Sequence, residues 1–155
     1  MMKSFLRVHQ WCSHFGCSLQ TYCSDIFSLG LRIFIAWQFL KAAFAKLGDW
    51  SATIELFRDE YQVPFLSPEF AAFAGTAGEL AFATLLLSGL FSRLSAFGLL
   101  LVNIMAVVSY PILWKLECPA GLNDHFYWGL LLCVLMIFGA GRLSIDHWLT
   151  RLSKA

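Results

Sequence analysis

Residues 70–113 read FAAFAGTAGELAFATLLLSGLF, then SR, then LSAFGLLLVNIMAVVSYPIL: two apolar runs, Phe70–Phe91 and Leu94–Leu113, parted only by Ser92 and Arg93. Each run reaches the roughly 20 residues that a helix needs to cross the hydrocarbon core of a bilayer. A break of two residues leaves no room for a return path, so the runs form a tight antiparallel helical hairpin. Working outward, two more apolar runs flank this pair, Ile26–Leu47 before it and Phe126–Gly141 after it. The first carries three charged residues and the last is the shortest. The expected fold is therefore an all-α integral membrane four-helix bundle over residues 26–149. An N-terminal tail (1–25) and a short C-terminal tail (150–155) bracket it.

Composition points the same way. Of 155 residues, 59% are hydrophobic and 14% charged, against about 45–50% and about 25% in soluble domains. So much apolar surface needs the lipid bilayer as its first partner. The formal net charge of +1 carries no nucleic-acid footprint. Several of the six tryptophans fall near the ends of the apolar runs, where aromatic belts form.

Orientation follows from the basic residues in short loops. Lys3, Arg7, Arg93, Arg142, Arg151 and Lys154 lie on one side, and only Arg58 and Lys115 on the other. This asymmetry predicts both termini in the cytoplasm, with loops 48–69 and 114–125 outside, as in a multi-pass protein of the bacterial inner membrane. Residues 1–25 lack a short apolar core followed by a small-residue cleavage site, so no signal peptide is expected.

Two segments outside the spans are amphipathic. Phe5, Val8, Cys12, Phe15, Leu19 and Tyr22 recur at steps of three and four, as do Trp50, Ile54, Phe57 and Tyr61 before Pro64. Both are expected to lie in the membrane surface. The five cysteines, at 12, 17, 23, 118 and 133, form no disulfide framework. His9-x-x-Cys12 and His14-x-x-Cys17 each span one helical turn, but a five-residue offset rotates one pair about 140° from the other. One helix cannot aim all four at one ion, so no metal site is expected.

Ionisable residues at membrane depth cost several kcal/mol and usually face the bundle interior or water. Arg32, Lys41 and Lys46 lie in the first run and Glu79 in the second. Counting rise along antiparallel neighbours brings Lys41 and Glu79 to similar depth, where an ion pair spares each an isolated charge. Asp124 and His125, at the outer start of the fourth run, would cap this cluster. Arg32 and Asn103 are expected to form a second polar layer from the inner side. The bland alternative is a buried pair that fixes helix register, with Lys46 and Arg32 snorkelling to the interfaces. No CxxC, HExxH, phosphate-binding glycine loop or dinucleotide fingerprint appears, so no catalytic residue can be named.

The order of residues resembles the DoxX family of small four-helix membrane proteins. Arg32, Phe39, Lys41 and Lys46 are similar to its first span. Asp49-Trp50, Thr53, Leu56-Phe57, Glu60-Tyr61 and Val63-Pro64 resemble one branch, as do Ala71-Ala72, Thr76, Glu79-Leu80, Gly89-Leu90 and Arg93. His125, Trp128, Gly139, Gly141, Leu143-Ser144 and Asp146 are similar to the family's closing "GpGklSlD" stretch. The chain departs at Ala42-Ala43, where the branch has Ser-Gly, and at Ala140, where the ending has proline.

This resemblance implies membrane redox work: DoxX-like proteins include a subunit of a thiosulfate–quinone oxidoreductase and a member of a thiol and superoxide defence complex. The branch accompanies genes for copper-binding, cysteine-rich modified peptides, which implies partner membrane proteins or peptide-biosynthesis proteins. Three readings follow. The chain is an accessory protein in redox or metal-stress physiology, with the outer polar cluster as a docking or ligand site. Or it is an oxidoreductase subunit whose Lys41, Lys46, Glu79 and His125 hold a quinone, the cofactor being otherwise left open by the sequence. Or it is a small transporter, which four spans without an inverted repeat allow only in a homo-oligomer.

Overall fold

The computed structural model describes the backbone of residues 2–115 and 120–154, and the side chains of 9, 10, 23–115 and 120–154. The described residues form seven helices and no strand: α1 (Met2–Gly48), α2 (Trp50–Asp59), α3 (Pro68–Ser88), α4 (Ser92–Ser109), α5 (Ile112–Lys115), α6 (Ala120–Phe138) and α7 (Ile145–Leu152). Four stretches are long and apolar enough to cross a membrane, namely Cys23–Gly48 within α1, α3, α4 and α6. The all-α membrane bundle is thus the fold.

Sequence periodicity explains which faces meet. On α1, Arg32, Ile35, Ala36, Phe39, Leu40 and Ala43 are buried, a stripe at helical spacing. On α3, Ala72, Thr76, Glu79, Ala83 and Leu86 repeat at alternating steps of four and three, and all are buried. Small residues punctuate the α1 stripe at Ala36 and Ala43 and make up most of the α3 stripe, because lipid supplies no hydrophobic drive between helices and close backbone packing holds them. Between α3 and α4 a Cβ at Gly98 would lie 2.7 Å from the Phe82 ring, so the crossing needs glycine there. The lipid-facing sides carry Phe34, Trp37, Phe73 and Phe97, all exposed.

The termini of the elements follow local chemistry. Ser67 caps α3, accepting from the Phe70 amide, with Pro68 in the first turn. Gly89 ends α3 at φ 73°, and a Cβ there would meet the Arg32 guanidinium and, at 2.6 Å, the Ser144 side chain. α2 is capped by Asp49, which accepts from Ala52 N at 3.0 Å.

Three boundaries differ from expectation. α6 begins at Ala120 rather than Phe126 and ends at Phe138, because Gly139 and Gly141 adopt φ 79° and 71° and turn the chain. α4 stops at Ser109, before Pro111, whose missing amide cannot continue the helix. The expected boundary at residue 25 falls inside α1, whose helical backbone continues from the tail into the first span. The tail's apolar stripe from Phe5 to Tyr22 and, His9 apart, both His-Cys pairs lie outside the described side chains, as does Cys118.

Candidate functional site

The end of the bundle covered by α2 is organised by an ion pair. Lys46, in the last turn of α1, places Nζ 2.5 and 2.6 Å from the two carboxylate oxygens of Glu79 on α3. Their side chains are 17% and 9% exposed, so the pair is largely withdrawn from solvent. The Thr53 hydroxyl donates to the carbonyls of Lys46 and Asp49, both at 2.9 Å, which locks the turn between α1 and α2 over the pair.

Lys41, the expected partner of Glu79, is exposed and Lys46 takes its place. Depth alone misled: five residues along a helix is also about 140° of rotation. Lys46 extends the buried stripe Arg32–Ile35–Phe39–Ala43, whereas Lys41 points away from it. That stripe is visible in the sequence and would have selected Lys46.

Beside the pair lies a cavity of about 230 Å³ between α2, α3 and α4. Its walls are apolar, including Phe57, Leu101, Val102 and Met105, and its polar atoms come from Lys46, Glu79, Tyr61 and Ser109. The Ser109 hydroxyl is buried without a hydrogen-bond partner, as is that of Thr76 one turn from Glu79. Buried hydroxyls are ordinarily satisfied, so an orphan on a cavity wall is a standing donor and acceptor for an occupant. The Tyr61 ring is stacked between Phe57 and Tyr110, with centroids 4.5 and 4.7 Å away. Burial, aided by the nearby Glu79 charge, pushes the Tyr61 phenol up to about 12, so it stays a neutral donor at physiological pH. Tyr110 donates to Glu60 Oε2 at 2.7 Å, and the Gln62 amide to Ser109 O at 2.7 Å, closing the outer rim.

His125 and Asn103 pair on the opposite flank of α4. Asn103 Nδ2 donates to the His125 carbonyl at 2.9 Å, leaving its side-chain oxygen to accept from His125 Nδ1 at 2.8 Å. This network assigns the proton of a neutral imidazole to Nδ1 and leaves Nε2 as an acceptor. Asn103 therefore belongs with His125 and not with Arg32. It stands six residues from the end of α4 at Ser109 and eleven from its start at Ser92, which places it in the half nearer the Lys46–Glu79 pair. Both line a second cavity, of about 480 Å³, between α4 and α6. Asp124 is exposed, and among the described residues its carboxylate makes no side-chain hydrogen bond or ion pair.

Arg32 forms the inner layer without Asn103. Fully buried, it donates to the carbonyls of Leu87, at 3.3 Å, and Leu143, closing the far ends of α3 and α6 on α1. Asp146, which composition alone did not single out, accepts from Phe91 N (2.8 Å), Ser92 N (2.9 Å) and Ser92 Oγ (2.8 Å). Burial raises its pKa, but these donors and the Arg32 charge outweigh burial and hold it below the ordinary carboxylate value. Among the described residues no group of three His, Cys, Asp or Glu side chains is placed to hold a metal.

Arg32, Lys46, Glu79, Asn103 and Ser109 all fall within residues 27–111, the stretch that matches the DoxX family profile. The chain belongs to the DoxX family. The expected membership thus holds, and the match spans more than half of the chain. A protein of Haemophilus influenzae (strain ATCC 51907 / DSM 11121 / KW20 / Rd), described as an uncharacterized protein, is 29% identical over 140 residues, covering 84% of this chain and 87% of that protein. No solved structure matches significantly. This DoxX protein is a multi-pass membrane protein, and His125 and Asp146 lie beyond the matched stretch.

Proposed function

We propose that this DoxX protein is an accessory component of redox or metal-stress physiology in the bacterial inner membrane, with both termini in the cytoplasm. The cavity beside Lys46 and Glu79 is its docking or ligand site. The observation that carries this reading is the unpartnered Ser109 hydroxyl, buried on the wall of an apolar cavity that also holds an ion pair. A pair that served helix register alone needs no cavity and no orphan donor beside it.

One feature favours a quinone as occupant. Glu79 takes two of the three ammonium N–H groups of Lys46, so the pair is neutral overall and keeps one donor spare. Lys46, Ser109 and Tyr61 supply donors to a carbonyl, Glu79 supplies a protonatable acceptor, and the apolar walls suit a ring. Purification in mild detergent, an optical spectrum and mass spectrometry of the lipid extract test both readings. A co-purifying quinone supports the oxidoreductase reading, a co-purifying protein the accessory one, and a chain carrying neither contradicts both.

A further inference from the structure

The opposite end of the bundle, where both termini lie, holds a cleft of about 500 Å³ between the start of α4 and residues 138–150. We infer that this cleft seats the head group of an anionic phospholipid, with Arg93 holding the phosphate. The inference stands apart from the outer cavity and does not depend on it.

Charge accounting at this end leaves Arg93 over. The buried Arg32 is taken up by the carbonyls of Leu87 and Leu143, and Arg142 pairs with Asp25 at 3.4 Å. Among the described residues, no ion pair or side-chain hydrogen bond includes Arg93, Arg151 or Lys154. Arg93 also sits in the first turn of α4, where the positive end of the helix dipole disfavours a cation. An anion bound from outside relieves that conflict. It cannot rest on the backbone amides of the helix start, because the Asp146 carboxylate already occupies those of Phe91 and Ser92. The guanidinium is the donor left, and its fork matches a phosphate bidentately.

The rest of the cleft selects a lipid over a free ion. Phe91, Leu94 and Phe138 line it and are 62%, 61% and 77% exposed. They continue onto the lipid-facing sides of α4 and α6, a surface acyl chains already cover. α7 completes the frame: Trp148, Leu149 and Leu152 are exposed on this amphipathic helix, and Arg151 adds positive charge.

The test is native mass spectrometry of the full-length protein released from detergent with dioleoyl-phosphatidylglycerol or dioleoyl-phosphatidylcholine, which share acyl chains and phosphate but differ in net charge. The expected result is about tenfold greater retention of phosphatidylglycerol, because the choline cation of the other lipid already neutralises its phosphate and repels Arg93. Arg93→Gln should erase that preference, and Arg93→Lys, which keeps the charge and loses the fork, should restore only part of it. Arg58→Gln, at the far end of the bundle, should leave it intact. Among the described residues the Arg93 side chain makes no hydrogen bond or ion pair, so these variants should fold, with circular dichroism as the check. Equal retention of the two lipids, or a preference that survives Arg93→Gln, overturns the inference. Loss of the preference in millimolar inorganic phosphate also overturns it, in favour of a free-anion site.

Discussion

Replacing Glu79 by glutamine strands the Lys46 ammonium beside an apolar cavity. Breaking a buried ion pair typically costs about 3–5 kcal/mol, because the surviving charge loses its partner without regaining water. Lys46 is 17% exposed and sits in the last turn of α1. Its chain can swing toward the interface, so a loss of about 2–3 kcal/mol is expected. For a domain of this size that corresponds to a fall in Tm of about 5–10 °C, read by differential scanning fluorimetry in a mild detergent. Lys46→Met should cost at least as much, because Glu79 is the deeper group and is left without its partner. Lys41→Met should leave Tm unchanged, since Lys41 is exposed and makes no ion pair. The double variant Lys46→Met/Glu79→Gln should recover most of the loss, as no lone charge remains. Two single variants as stable as the parent, or an equal fall with Lys41→Met, would refute the reasoning that α1 presents Lys46 to α3.

Three further outcomes follow from other parts of the bundle. Asp146 has a depressed native pKa, so its stabilisation is complete above the ordinary carboxylate value of about 4 and fades as pH falls through the native value. Asp146→Asn should cost about 1–3 kcal/mol at pH 7 and flatten the acid limb of a Tm-versus-pH curve, whereas an unchanged limb would contradict the capping role. Gly98→Ala should lower stability by about 1–3 kcal/mol, because the new methyl group meets the Phe82 ring, and Phe82→Leu in the same chain should offset part of that loss. In intact cells a membrane-impermeant maleimide should reach Cys118 and miss Cys12, Cys17 and Cys23. Labelling of the tail with Cys118 protected would reverse the assigned orientation.

Most of the fold was legible because its signals are long and redundant. The break at Ser92-Arg93 set the hairpin, and four apolar runs set the bundle. Boundaries were less so: the expected fourth span included Gly139 and Gly141, whose positive φ values turn the chain, a signal present in the letters but outweighed by hydropathy. At the site, the sequence named Lys46, Glu79, Asn103 and His125, but grouped Lys41 with Glu79 and Asn103 with Arg32, two groupings the structure does not make. Depth was counted along the helix and rotation was not, so Lys41 was chosen over Lys46. Asn103 was likewise assigned to the inner layer although it stands closer to the outer end of α4. Ser109 and Tyr61 could not be singled out, since a lone serine before a tyrosine and a tyrosine on an amphipathic segment carry no pattern. Their roles arise from α2 folding over α3 and α4, a tertiary fact. Asp146 was named only through the family ending, and the structure supplies the physical reason: its carboxylate caps α4 and draws α7 onto the hairpin.

The most direct test of the central claim, that the cavity beside Lys46 and Glu79 takes a ligand, separates binding from stability. Tm is measured with increasing decyl-chain benzoquinone for the parent protein and for the Lys46→Met/Glu79→Gln double variant. A ligand that binds only the folded state raises Tm by mass action, about 2.7 kcal/mol of stabilisation at a hundred times Kd. The account predicts a rise in the parent and none in the double variant, although that variant folds stably. An equal rise in both, or no rise in the parent, would contradict it.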